Sequence, residues 1–94
     1  MGRALNEAFL ALNEQRYADA RTAIGTLRLN SLSPYERSKV EEILSAISYG
    51  EGKLAEARQH LENALAAGGL TAQETADVLA RIGVIDAKLS GKVL

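Results

Sequence analysis

The chain predicts an all-α fold of antiparallel helix-turn-helix repeats, about five helices in one domain. Three observations carry this expectation. Apolar residues recur at the three- and four-residue intervals that line one face of a helix. Alanine and leucine dominate the apolar set, and Phe9, Tyr17, Tyr35 and Tyr49 are the whole aromatic complement, a composition that favours helices over strands. Glycine, proline and short hydroxyl residues stand where helices would stop and start.

Taken in order, Leu5, Ala8, Phe9 and Leu12 mark the first helix. Asn13, Glu14, Gln15 and Arg16 break the pattern. Tyr17, Ala20, Ile24 and Leu27 mark a second helix, and Asn30 to Ser33 a second break. Ser33-Pro34-Tyr35-Glu36 reads as a helix start: Ser33 can cap, Pro34 suits the first turn, and Glu36 completes a capping box. Val40, Ile43, Leu44 and Ile47 share a face of the third helix, which ends in a tight turn bracketed by Gly50 and Gly52. The fourth helix carries Leu54, Ala57, Leu61, Ala64 and Leu65, and Gly68-Gly69 suits a left-handed end. Thr71-Ala72-Gln73-Glu74 forms a second capping box. The fifth helix, with Val78, Ile82, Ile85 and Leu89 on its core face, runs to about Ser90, where Gly91 stops it.

Ninety-four residues allow one small domain. A hydrophobic fraction of 47% fits a folded chain. The formal net charge of -1, with acidic and basic residues interspersed, opposes nucleic-acid binding, which draws on a basic surplus. Cysteine is absent, so thiol and disulfide chemistry are excluded. No apolar run approaches the ~20 residues of a membrane span, and the start lacks a signal-peptide pattern.

Catalytic patterns are equally absent. His60, the single histidine, reads as a solvent-facing helix residue, since a metal site draws on several convergent ligands. Glu41-Glu42, Asp77 and Asp86 read as solvated surface, because acid–base work needs a cleft and shifted pKa values. The serines lack a nucleophile elbow, and Gly50-Glu51-Gly52-Lys53 lacks the spacing and strand of a phosphate loop. The expectation is a non-catalytic chain with no metal and no cofactor.

An internal likeness is more informative. Gln15-Arg16-Tyr17-Ala18-Asp19-Ala20-Arg21 aligns with Gly52-Lys53-Leu54-Ala55-Glu56-Ala57-Arg58, and Ile24 and Leu27 then align with Leu61 and Ala64. The offset is thirty-seven residues, against the ~34 of a tetratricopeptide repeat. On these residues the chain resembles the tetratricopeptide repeat family. Tyr17 and Leu54 resemble the apolar residue opening the family's second helix, and Ala20 and Ala57 its small residue at the helix crossing. The first-helix signature is degraded: Ala4, Glu7 and Ala8 stand there in one repeat, Glu41, Leu44 and Ser45 in the next. The resemblance divides the chain into repeats at about 3–32 and 33–69 and a further helix at about 71–91. Leu32-Ser33-Pro34-Tyr35-Glu36-Arg37, with Ala66-Ala67-Gly68-Gly69-Leu70, is also similar to repeat proteins found beside TonB-type energy-transduction systems of Gram-negative bacteria. That narrower resemblance implies a periplasmic fragment of a longer protein; without it, the cytoplasm is expected.

The family resemblance implies a scaffold that receives a peptide or helix of a partner protein in a groove. Its groove positions fall on Leu5, Phe9, Leu12 and Asn13, then Lys39, Glu42, Ala46 and Tyr49. Leu5 and Phe9 could instead turn inward, because Ala8 and Leu12 share their face. The family's Lys/Asn/Arg clamp for chaperone tails is replaced by Leu5, Phe9, Ile43, Val78 and Ile82, which argues against that ligand. An alternative role is structural self-association. The fifth helix has no helix after it to cover Val78, Leu79, Ile82, Ile85 and Leu89, and Val84, Val93 and Leu94 add apolar surface, so pairing through this helix, with a second copy in a homodimer or with the rest of a longer solenoid, is the second expectation.

Overall fold

The computed structural model describes residues 2–91; Val93 and Leu94 lie outside them. Five α-helices follow one another: α1 Gly2–Asn13, α2 Tyr17–Gly25, α3 Pro34–Gly50, α4 Leu54–Ala67 and α5 Ala72–Leu89. No strand is present among the described residues. Both capping boxes form. Ser33 Oγ accepts the Glu36 N–H while the Glu36 carboxylate accepts the Ser33 N–H, and Thr71 and Glu74 do the same for α5. Gly68 closes α4 in the left-handed conformation at φ 79°. The second helix is shorter than its apolar pattern suggests. It stops at Gly25, Leu27 packs beside the core from the following loop, and a 3-10 turn at Leu29–Ser31 leads to α3.

The α1–α2 and α3–α4 turns have the same backbone construction, thirty-seven residues apart. Arg16 N–H reaches Ala11 O at 2.7 Å and Lys53 N–H reaches Ser48 O at 2.8 Å. Gln15 N–H to Leu12 O and Gly52 N–H to Tyr49 O are both 3.0 Å. Arg16 and Lys53 have nearly identical dihedrals, φ -90° ψ 73° and φ -92° ψ 74°. Gly52 takes φ 79° at no steric cost, whereas Gln15 adopts φ 61° with a side chain attached.

Small residues let α3 and α4 approach closely. Ser45 Oγ donates to Ala57 O and Ser38 Oγ to Ala64 O, each at 2.8 Å, from buried positions. As the α3 partner moves back toward the N-terminus, the α4 partner moves forward, so the two helices are antiparallel. In contrast, α3 and α5 are parallel: Tyr35 Oη donates to Glu74, Arg81 donates to Glu42, and Lys88 stands over Tyr49, every pair thirty-nine residues apart. Gly69 fits at the start of α3, where a Cβ would collide with the Pro34–Tyr35 backbone.

Two apolar clusters result. Ala8, Ala11, Ala20, Ala23, Ile24, Val40, Ile43 and Ile47 join α1, α2 and α3. Ala57, Leu61, Val78, Ile82 and Ile85 join α4 and α5. Burial of such side chains is the main driving force for folding here, at roughly 25 cal/mol per Å² of apolar surface.

Candidate functional site

Along one side of the molecule α1, α3 and α5 present their side chains to a shared groove of about 620 Å³. Phe9, Leu12 and Asn13 come from α1. Lys39, Glu42, Ile43, Ser45, Ala46 and Tyr49 come from α3, and Arg81, Val84 and Ile85 from α5, with Leu61 of α4 at the base. Phe9, Tyr49 and Val84 remain 48%, 38% and 53% exposed, so large apolar surface faces the opening. At this volume the space matches pockets that seat small ligands or a few side chains of a partner.

Charge is concentrated toward the N-terminal ends of α3 and α5. Lys39 Nζ lies 2.6 Å from Glu74 Oε2 and 3.3 Å from Glu42 Oε2. Glu42 Oε1 accepts from Arg81 at 3.2 Å, while its buried Oε2 has Lys39 at ion-pair distance but no aligned hydrogen bond. The Lys39 ammonium, then the Thr71 N–H, pull the Glu74 carboxyl down to about 2. Burial opposes the charge on Lys39, but Glu74 and Glu42 together raise its pKa above the ordinary lysine value. Toward the C-terminal ends, Phe9, Leu12, Ala46, Tyr49, Val84 and Ile85 make an apolar stretch, edged by Asn13 and by Lys88 4.8 Å above the Tyr49 ring.

Of the residues expected in the groove, Phe9, Leu12, Asn13, Lys39, Glu42, Ala46 and Tyr49 line this one space. Leu5 does not; it packs against the first apolar cluster, one turn below Phe9 on the inward side of α1. Arg81, Val84 and Ile85 are groove residues that the position-by-position reading missed. Their signal was the spacing Arg81, Val84, Ile85, Lys88, which places two cations and two apolar side chains on one helical face.

The residues assigned to self-association divide. Val78, Ile82 and Ile85 are buried against α4, because their spacing turns one stripe of α5 onto Ala57 and Leu61. Leu79 and Leu89, 54% and 49% exposed, stay on the surface. His60 and the paired glutamates also differ from expectation. His60 is partly buried and its Nδ1 lies 2.8 Å from Glu41 Oε1, which also accepts from Asn63 at 3.2 Å, so the group joins α3 to α4. Glu42 turns the other way, to α5. Adjacent residues on a helix that is flanked on two sides can both be drawn inward.

Among the described residues no cluster of three metal-ligating side chains forms, and no helix is long and apolar enough to cross a membrane. No family model, curated protein or solved structure matches the chain.

Proposed function

We propose that the chain is a non-catalytic protein-interaction module of tetratricopeptide-like construction, which receives a segment of a partner protein in the groove between α1, α3 and α5. The observation that carries this reading is the convergence of three non-consecutive helices on one open, largely apolar groove. The thirty-seven-residue recurrence of the interhelical turn supports stacked hairpins, with α1, α3 and α5 as the first helices of successive units. Ala20 and Ala57, both fully buried, then occupy equivalent crossings. An exposed Phe-Tyr-Val surface rimmed by polar groups is the usual composition of an interaction site.

A photo-crosslinking side chain at Ala46 tests the reading, with the same group at Gln59 on the outer face of α4 as control. The Ala46 probe is expected to capture a partner, and Phe9→Ala to abolish the capture. Equal capture from both positions would remove the groove from the account.

One observation favours a second reading, pairing of two copies through α5. The small residues Ser38 and Ser45 seat α4 on α3; thirty-eight residues on, Ala76 and Gly83 stand exposed on α5 beside Leu79. The register of the capping boxes, Ser33 to Thr71 and Glu36 to Glu74, has the same offset. A helix of a second copy on this face is the structural role that the alternative reading describes.

A further inference from the structure

We infer that the segment received by the groove is an amphipathic α-helix whose apolar face is flanked by acidic side chains about two turns apart. This rests on the proposed binding role and adds the chemistry of the occupant.

The first argument is a backbone hydrogen-bond account. An extended segment brings unpaired N–H and C=O groups into the groove at every residue, and these need partners when water leaves. The polar groups present are largely engaged. Ser45 Oγ donates to Ala57 O, Lys39 pairs with Glu74 and Glu42, and Glu42 takes one Arg81 N–H. Among the described residues the open capacity in the groove is the Asn13 amide, the Tyr49 hydroxyl, Glu42 Oε2 and the outward N–H groups of Arg81, side chains at separate points rather than a partner for every residue of an extended strand. A helix satisfies its own backbone and asks the groove for apolar contact, which Phe9, Leu12, Ala46, Tyr49 and Val84 supply.

Charge complementarity is the second argument. Arg81, Val84 and Lys88 lie at helical positions i, i+3 and i+7, so α5 edges the groove with two cations around the exposed Val84, with the buried Ile85 behind it. Arg81 is 57% exposed at its side chain and spends one N–H on Glu42, leaving others toward solvent. Lys88 has the Tyr49 ring beneath it and no carboxylate at ion-pair distance among the described residues. Seven residues of helix span about 10.5 Å, so a partner helix with carboxylates seven apart meets both cations while its intervening apolar residues cover Val84. Charge pairs at an interface edge govern partner choice and encounter rate.

This chain contains a related pattern. Glu7 and Leu10 lie on the exposed side of α1 with Glu14 in the turn just past its end, at i, i+3 and i+7 in sequence, and Leu10 is 61% exposed. Its Glu14 carboxylate is already paired with Arg16 at 2.5 Å, so a separate partner helix is the assigned occupant and a second copy is an outcome to be tested.

Three lactam-bridged, fluorescent peptides of about four helical turns serve as probes. One carries Glu-X-X-Leu-Leu-X-X-Glu on a face, the second has Lys for both Glu, and the third is the first with prolines that prevent a helix. Anisotropy titrations at low and high salt are expected to give the Glu helix about tenfold tighter binding than the Lys helix, narrowing as salt screens the pairs. Lys88→Glu, an exposed substitution that leaves Arg81 in place, is expected to erase the preference, and Ala46→Arg to abolish binding; circular dichroism confirms that both variants fold. Equal affinity for the Glu and Lys helices, or for the proline peptide, with dependence on Ala46 retained, overturns the acidic-helix assignment and leaves the groove as a binding site. Binding of no probe, or binding indifferent to Ala46→Arg, overturns both. A sedimentation mass above one chain that falls on Leu10→Glu gives the groove to a second copy and likewise overturns the assignment.

Discussion

Ala20 and Ala57 are fully enclosed, so a larger side chain at either must displace packed neighbours. Around Ala57 the constraint is visible in chemistry as well as volume, because Ser45 donates directly to its carbonyl. Ala57→Leu therefore forces α3 and α4 apart and breaks that hydrogen bond. Overpacking costs about 1–3 kcal/mol, and in a domain of this size each kcal/mol lowers Tm by roughly 4–8 °C. Thermal melts of Ala57→Leu and Ala20→Leu are expected to show losses in this range for each; an unchanged Tm would mean that those crossings are loose. These two alanines were legible because the likeness of two seven-residue strings singled them out. The roles of Ser38, Ser45 and His60 were not, since nothing in one sequence distinguishes a hydroxyl or imidazole aimed at a neighbouring helix from one aimed at water.

At the scale of the helix, Glu74 has two tasks. Its Oε1 accepts the Thr71 N–H that opens α5, and its Oε2 accepts from Tyr35 and pairs with Lys39 across to α3. The folded chain keeps this carboxyl ionised down to about 2, whereas an unfolded glutamate takes its proton near the ordinary 4.5. The unfolded state thus binds more protons as pH falls. The stabilisation is complete above about 4.5 and disappears as pH drops toward about 2. Glu36, held low by the Ser33 N–H, and Glu51, held low by Arg21, act in the same direction. Melts from pH 6 to pH 2 are expected to show a falling Tm, and a shallower fall in Glu74→Gln; identical slopes would leave Glu74 without a part in acid sensitivity. The capping box itself was readable, being a signal four residues long. The ion pair to Lys39 was not, because it depends on α3 and α5 lying parallel.

For the whole molecule, the order of helices was accessible from apolar periodicity and capping residues, and the expected groove positions came from the family resemblance. At α5 two expectations compete for one stripe, a core face and an uncovered surface; Val78, Ile82 and Ile85 are core, covered by α4. The face turned to the groove, from Arg81 to Lys88, went unrecognised as a unit. Helical periodicity tells which residues share a face but not which neighbour that face meets. The shared groove of α1, α3 and α5 is the claim on which the proposed binding role rests, and the absence of cysteine allows it to be measured cleanly. A nitroxide attached at Ala46→Cys labels one site, and paramagnetic attenuation of backbone amide signals reports what lies around it. The account predicts the steepest attenuation outside α3 at Phe9 and Leu12 of α1 and at Val84 of α5, and the weakest at Thr22 and Gln59 on the outer faces of α2 and α4. Strong attenuation of Thr22 or Gln59, with Phe9 and Val84 spared, would contradict it.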